Sequence, residues 1–177
     1  MPTYVAFLRA INVGGHVVKM DRLQRLFEGN GCTDVQTVIA SGNVIFQSAS
    51  RSEKPLVAKI ARCLEDGLGY PVATFLRTPA ELSAVAGRSP FTEGTDAANL
   101  YVGFLTEGPS AAAVRALRAC ASQIDDFRVV GREVYWLCRT SFSRSDFSGA
   151  KIEKLLGAAT TLRNITTVRR IADKLSA

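Results

Sequence analysis

The chain has one histidine in 177 residues, which removes paired-histidine metal sites from consideration. Its four cysteines, Cys32, Cys63, Cys120 and Cys138, include no Cys-x-x-Cys pair, so neither a zinc finger nor a dithiol redox motif is expected. No run of about 18 apolar residues occurs, so no membrane-spanning helix and no membrane partner are expected. Met1-Pro-Thr-Tyr-Val-Ala-Phe-Leu lacks the basic start of a secretory leader, and Arg9 interrupts the apolar stretch. The expectation is a cytoplasmic protein with reduced thiols. Gly-x-x-x-x-Gly-Lys-Ser/Thr, Gly-x-Gly-x-x-Gly and Gly-x-Ser-x-Gly are all missing, so no cofactor and no nucleophile elbow are read. His16 sits in a glycine-rich loop and is read as a loop residue rather than a base.

What is present is enough to build a core: 47% of residues are apolar and 21% charged. The net charge is +6, and it is unevenly placed. Residues 1–126 carry 12 basic and 12 acidic residues, whereas 127–177 carry 10 and 4. A uniformly basic, histone-like chain is excluded by that distribution.

The pattern of elements repeats. Tyr4 to Ile11 reads as a strand, Met20 to Glu28 as a helix with Met20, Leu23, Leu26 and Phe27 on one face, and Asp34 to Ile39 and Asn43 to Gln47 as a hairpin through Ala40-Ser41-Gly42. A helix over Glu53 to Leu68 and a strand over Val72 to Leu76 complete a βαββαβ order. Tyr4-Val-Ala-Phe-Leu then returns as Tyr101-Val-Gly-Phe-Leu. A helix over Ser110 to Ile124, strands at Phe127 to Val130 and Glu133 to Cys138, a helix over Gly149 to Leu156, a closing strand near Thr160 to Arg163 and a helix over Thr166 to Leu175 follow. The predicted fold is therefore α+β: two ferredoxin-like halves packed together, the second followed by a C-terminal helix. The predicted boundaries are 1–78 and 98–177, with 79–97 as connector. Because the first strand is apolar on both faces, binding of RNA to an open sheet face is not expected.

In this topology the loop after the first strand and the hairpin between the second and third emerge at the same end. Asn12, Gly14 and Gly15 are thereby brought near Ser41, Gly42 and Asn43. Glycine backbone N–H groups, a following helix N-terminus, and Arg9 and Lys19 beside the loop suit a phosphate or carboxylate. Tight turns would need the same glycines. Two polar clusters lie near the C-terminus, Arg139 to Asp146 and Thr160 to Thr167. They supply phosphate ligands and equally helix caps, with Ser148 and either Asn164 or Thr166 as the caps.

Leu8-Arg-Ala-Ile-Asn-Val-Gly-Gly15, Val38-Ile-Ala-Ser-Gly-Asn-Val44, Gly131-Arg-Glu-Val-Tyr135 and Thr161-Leu-Arg-Asn-Ile-Thr-Thr-Val168 resemble, in order and spacing, the bacterial family called domain of unknown function 1697. Arg9, Asn12, Gly14, Gly15, Ser41, Gly42, Asn43, Arg163, Asn164 and Thr167 fall on its motif positions. The chain departs from the pattern at Ala10, where glycine is expected, and at Leu162, where threonine is. The family has no established activity, so the resemblance implies none.

Three functions follow as expectations. One is a binding module for a phosphorylated ligand, either a small molecule such as a nucleotide or a nucleic-acid backbone, built on the ten motif residues above. Another is an enzyme acting on a small phosphorylated or carboxylated metabolite, with Arg9 or Arg163 holding the anion and Ser41 or Asp146 as the chemical group. The third is a structural or interaction protein. Oligomeric state is left open.

Overall fold

The computed structural model describes residues 1–11, 15, 17–39, 42–91 and 99–177. It divides into two compact units, Met1–Glu81 and Leu82–Ala177. The first unit contains β1 (Thr3–Leu8), α1 (Met20–Gly29), β2 (Thr33–Thr37), β3 (Asn43–Gln47), α2 (Glu53–Leu68) and β4 (Thr74–Arg77). The helix α3 (Pro79–Gly87) begins in this unit and continues into the next. The second unit contains β5 (Leu100–Phe104), α4 (Ala111–Arg118), β6 (Asp125–Val130), β7 (Glu133–Cys138), α5 (Gly149–Leu156), β8 (Thr161–Asn164) and α6 (Ile165–Ser176). Each unit has a four-stranded antiparallel sheet, ordered β2-β3-β1-β4 and β6-β7-β5-β8, which is the ferredoxin-like order in both cases.

Strand alternation decides which side chains build the first core. Tyr4, Ala6 and Leu8 join Leu23 and Phe27 of α1 and Leu56, Ile60 and Leu64 of α2. Phe27 meets Phe46 edge-on, with ring centroids 5.2 Å apart. The opposite face of the strand is apolar too, and Val5 and Phe7 are both 0% exposed. Tyr4, Phe7, Phe46 and Phe75 are all buried, so β1, β3 and β4 present no exposed aromatic on which a base could stack.

In the second unit Trp136 is the centre of the core, packed with Tyr101 at 5.4 Å and Phe127 at 6.4 Å between centroids. Its indole N–H donates to the buried Asp125 carboxylate at 2.8 Å. Here the observed helix is shorter than the sequence reading: α4 stops at Arg118 rather than Ile124. Cys120 N–H bonds Leu117 O and Ala121 N–H bonds Arg118 O, tightening the last turn. The Ser122 hydroxyl then accepts from the N–H groups of Ile124 and Asp125 and turns the chain into β6. Ile124, placed on the apolar face by periodicity, is 41% exposed.

The internal repeat extends to single hydrogen bonds. Leu8 N–H donates to Gly42 O at 2.8 Å, and Leu105 N–H donates to Arg132 O at 2.9 Å. Arg77 pairs with Val5 and Arg163 with Val102, and each guanidinium bonds the carbonyl of the residue before it. Thr78 and Asn164 follow these arginines and lead into α3 and α6. Thr78 and Glu81 form a reciprocal capping box, Thr78 N–H to the Glu81 carboxylate at 2.8 Å and Glu81 N–H to the Thr78 hydroxyl at 3.2 Å. Asn164 accepts from Thr166 N–H at 2.9 Å. The repeated unit is thus βαββαβα, and α3, inside the stretch 79–97, is the first copy of the C-terminal helix.

One substitution separates Tyr4-Val-Ala-Phe-Leu from Tyr101-Val-Gly-Phe-Leu, Ala6 against Gly103. Thr160, the counterpart of Thr74, donates its hydroxyl to Phe104 O at 2.9 Å, whereas Thr74 donates to Val72 O. That rotation leaves a Cβ on Gly103 only 2.8 Å from the Thr160 hydroxyl oxygen and 3.2 Å from Leu162. Gly103→Ala is expected to destabilise by about 1–3 kcal/mol through overpacking. In a double-mutant cycle by urea denaturation, combining it with Thr160→Ala should cost less than the sum of the two single changes.

Candidate functional site

The end of β1, the β2–β3 turn and the approach to β4 meet at one end of the first sheet. Leu8 N–H to Gly42 O fixes the first junction, and Arg9 N–H to Ala73 O, 3.0 Å, fixes the second. Arg9 is exposed at this end, as is Gly15, with φ 86° and open space where a side chain would stand. Gly42, φ 93°, is buried in the turn. Asn12, Gly14 and Ser41, together with His16, lie outside the described residues.

Two non-glycine residues in these segments adopt left-handed backbone, Ala10 at φ 60° and Ile39 at φ 50°. Such a conformation costs about 1–2 kcal/mol per residue and persists only where the surroundings impose it. Asn43 supplies part of that restraint. Its buried amide nitrogen donates to Val38 O at 3.1 Å and Ile39 O at 3.2 Å. Asn43 is therefore the clamp of the turn, and its donors face the turn rather than solvent. Ala10 stands where the resemblance leads to an expectation of glycine, and its positive φ is a backbone conformation that glycine adopts without strain.

The loop delivers the chain to the N-terminus of α1, where Lys19 provides no side-chain cap. Lys19, Asp21, Arg22, Arg25 and Leu26 line a cleft of about 460 Å³ there. Asp21 is already bonded by Arg25 at 2.6 Å, while Arg22 reaches across to Gly67 O. Uncapped first-turn N–H groups and three cations around one paired acid make this a positive region.

The internal repeat offers a comparison that no single motif does. Between the equivalent residues Leu8 and Leu105 and the following helices, the first half uses eleven residues, 9–19, and the second only five, 106–110. The fold closes this connection with five residues, so the longer, glycine-containing version is not a requirement of the topology.

The candidates in the second unit are engaged in structure. Arg163 is half-buried on β8 and donates to the Thr161 hydroxyl at 2.7 Å and to Leu162 O at 2.9 Å. Burial pushes its pKa down to about 10, which leaves it charged at neutral pH. Asn164 is the cap of α6 and accepts a further bond from the Thr166 hydroxyl at 2.6 Å. Thr167 lies half-buried in the first turn of that helix. In the other polar cluster, Ser145 gives its hydroxyl to Asp125 at 2.8 Å and accepts from Phe147 N–H, and Ser148 caps α5 through Lys151 N–H. Asp146 is exposed.

Cys32 and Cys63 have thiols held above their ordinary pKa chiefly by burial, the opposite of an activated nucleophile. Among the described residues no group of three His, Cys, Asp or Glu side chains is placed to hold a metal ion, and no helix is long and apolar enough to cross a membrane.

A family model described as protein of unknown function DUF1697 matches residues 1–135. The chain belongs to the DUF1697 family. That match includes Arg9 to Asn43, while Arg163, Asn164 and Thr167 lie beyond it. Among solved structures, the conserved bacterial protein SP0830 from Streptococcus pneumoniae is similar over 100% of this chain and 99% of its own, at 25% identity and a TM-score of 0.77. The α+β architecture of two similar halves with a final helix is thus shared by that protein. No curated protein matches the chain.

Proposed function

We propose that this DUF1697 protein is a binding module for a phosphorylated ligand, a nucleotide or a nucleic-acid backbone, held by the loop and turn at the open end of the first sheet. The observation that carries the reading is the eleven-residue β1–α1 loop, set against the five residues with which the second half makes the same connection. Arg9, Gly15 and Lys19 on that loop, and Arg22 and Arg25 beside it, supply the charge and the backbone donors. Asn12, Gly14 and Ser41 belong to the proposed set by their motif positions.

Asn43 and Asn164 favour a structural role, since one clamps a turn and the other caps a helix. In this reading Gly42 shapes the turn, and Arg163 and Thr167 complete the second unit rather than contact the ligand.

Thermal unfolding with a panel of nucleotides, phosphorylated metabolites and short oligonucleotides is the test. A ligand present at about 100 times its Kd raises stability by about 2.7 kcal/mol. If the ligand is a nucleic-acid backbone, affinity falls steeply with salt, and Arg9→Gln lowers the salt slope by about 1. An absence of stabilisation by every phosphorylated compound would reject the reading.

A further inference from the structure

A second depression in the first unit lies between α1 and α2. It measures about 720 Å³, within the range of roughly 300–1,000 Å³ typical of small-molecule sites. Leu26, Pro55 and Ala58 give it an apolar floor, and Lys59, Arg62 and Asn30 stand at its polar side. The Asn30 amide nitrogen is buried and has no hydrogen-bond partner. A buried donor left in that state costs about 1–3 kcal/mol, a cost relieved when the Asn30 side chain turns into the groove onto an entering acceptor oxygen. Lys59 reaches the same corner, its ammonium nitrogen 3.9 Å from where a Cβ on Gly31 would stand.

Asp66 also lines the groove, but it lies beside Gly67 at the other end. It lies seven positions from Lys59, about 10 Å along the α2 axis, and four positions, about one turn, from Arg62. Along α2 the groove therefore runs from apolar Pro55 and Ala58 through the cations Lys59 and Arg62 to Asp66, with Asn30 beside Gly31 at the level of Lys59. The Cys63 thiol donates to Leu26 O at 3.3 Å across the same groove, holding the two helices in register there.

We infer that the α1–α2 groove is a binding site for a small amphiphilic carboxylate, its carboxylate on Lys59 and Asn30, with Arg62 a turn further along α2, and its apolar portion on Pro55 and Ala58. Among the described residues no aromatic side chain lines the groove, so the apolar portion is gripped by aliphatic packing and not by ring stacking. The Asn30 end of the site is distinct from the loop, because Lys19 and Asn30 are eleven residues apart, about 16 Å along α1, although Leu26 lines both clefts and Arg22 reaches Gly67 O.

Titration of the full chain with decanoate and with decanol, followed by ¹H–¹⁵N NMR, tests the assignment. Decanoate should saturate, move the Asn30, Ala58 and Cys63 amides, and bind about tenfold tighter than decanol. Lys59→Gln should remove most of that tenfold preference while leaving decanol binding as it was, and Arg62→Gln provides the same test should the first variant fold poorly. Equal affinity for decanoate and decanol would overturn the inference. So would a preference that survives both substitutions, shifts scattered outside the groove, or no saturable shifts.

Discussion

Replacing Asn43 with alanine is expected to lower the unfolding free energy by about 3 kcal/mol, well above the effect of a typical surface substitution. The side chain is 3% exposed and its amide donates to Val38 O and Ile39 O. Truncation leaves two carbonyls short of a donor inside the turn and frees Ile39 from part of the restraint that keeps it left-handed at φ 50°. Urea denaturation gives the magnitude directly. A loss under about 0.5 kcal/mol, typical of surface sites, would mean that Asn43 is not the clamp of the turn. Asn43→Asp should be at least as damaging, because it places carboxylate oxygens where two carbonyls need donors.

Asp125→Ala is expected to cost about 3 kcal/mol or more. The buried carboxylate accepts from the Trp136 indole at 2.8 Å and from the Ser145 hydroxyl at 2.8 and 2.9 Å. It thereby ties the segment after β7 to the edge strand β6. Its removal strands an indole N–H in the core and frees Ser145, which anchors Phe147 N–H. Trp136 is the one tryptophan of the chain, so its fluorescence reports on this junction alone. Ser145→Ala should cost less, because Asp125 then keeps its bond to the indole. A wild-type midpoint for Asp125→Ala would show that the Asp125 bonds to Trp136 and Ser145 contribute nothing to stability.

The fold was legible because local and tertiary signals agree. The return of Tyr4-Val-Ala-Phe-Leu as Tyr101-Val-Gly-Phe-Leu marks two strands in equivalent places, and the bounds of α2 and β3 follow from hydrophobic spacing and from Gly69 and Gly42. The helix α3 was missed because Pro79 and Gly87 read as loop punctuation. They stand instead at the first and last positions of a helix, and Thr78-Pro-Ala-Glu81 is a capping box in plain sight. The end of α4 was misread for a different reason. Periodicity continues to Ile124, but the Ser122 turn and the pairing of Asp125 with Cys138 take the chain out of the helix.

The candidate site was legible in position and less so in the roles of its members. Topology alone places the β1–α1 loop beside the β2–β3 turn, and the Leu8 to Gly42 bond makes that junction. Segmental charge counts hid the cations around the start of α1, since residues 1–126 balance overall while Lys19, Arg22 and Arg25 fall three apart and line one cleft. Which asparagines serve packing could not be read from sequence, because a cap and a ligand use the same amide chemistry.

The most direct measurement exchanges the loop itself. Residues 9–19 are replaced by the five-residue connection 106–110 of the second half, and the ligand panel is repeated by thermal unfolding with intact and exchanged chains. The exchange also removes the buried Ile11 and Val18, so the proposed function predicts an exchanged chain that unfolds cooperatively at a lower midpoint and loses the stabilisation given by phosphorylated ligand, about 2.7 kcal/mol at 100 times Kd for the intact chain. Full stabilisation of the exchanged chain by the same ligand would contradict it.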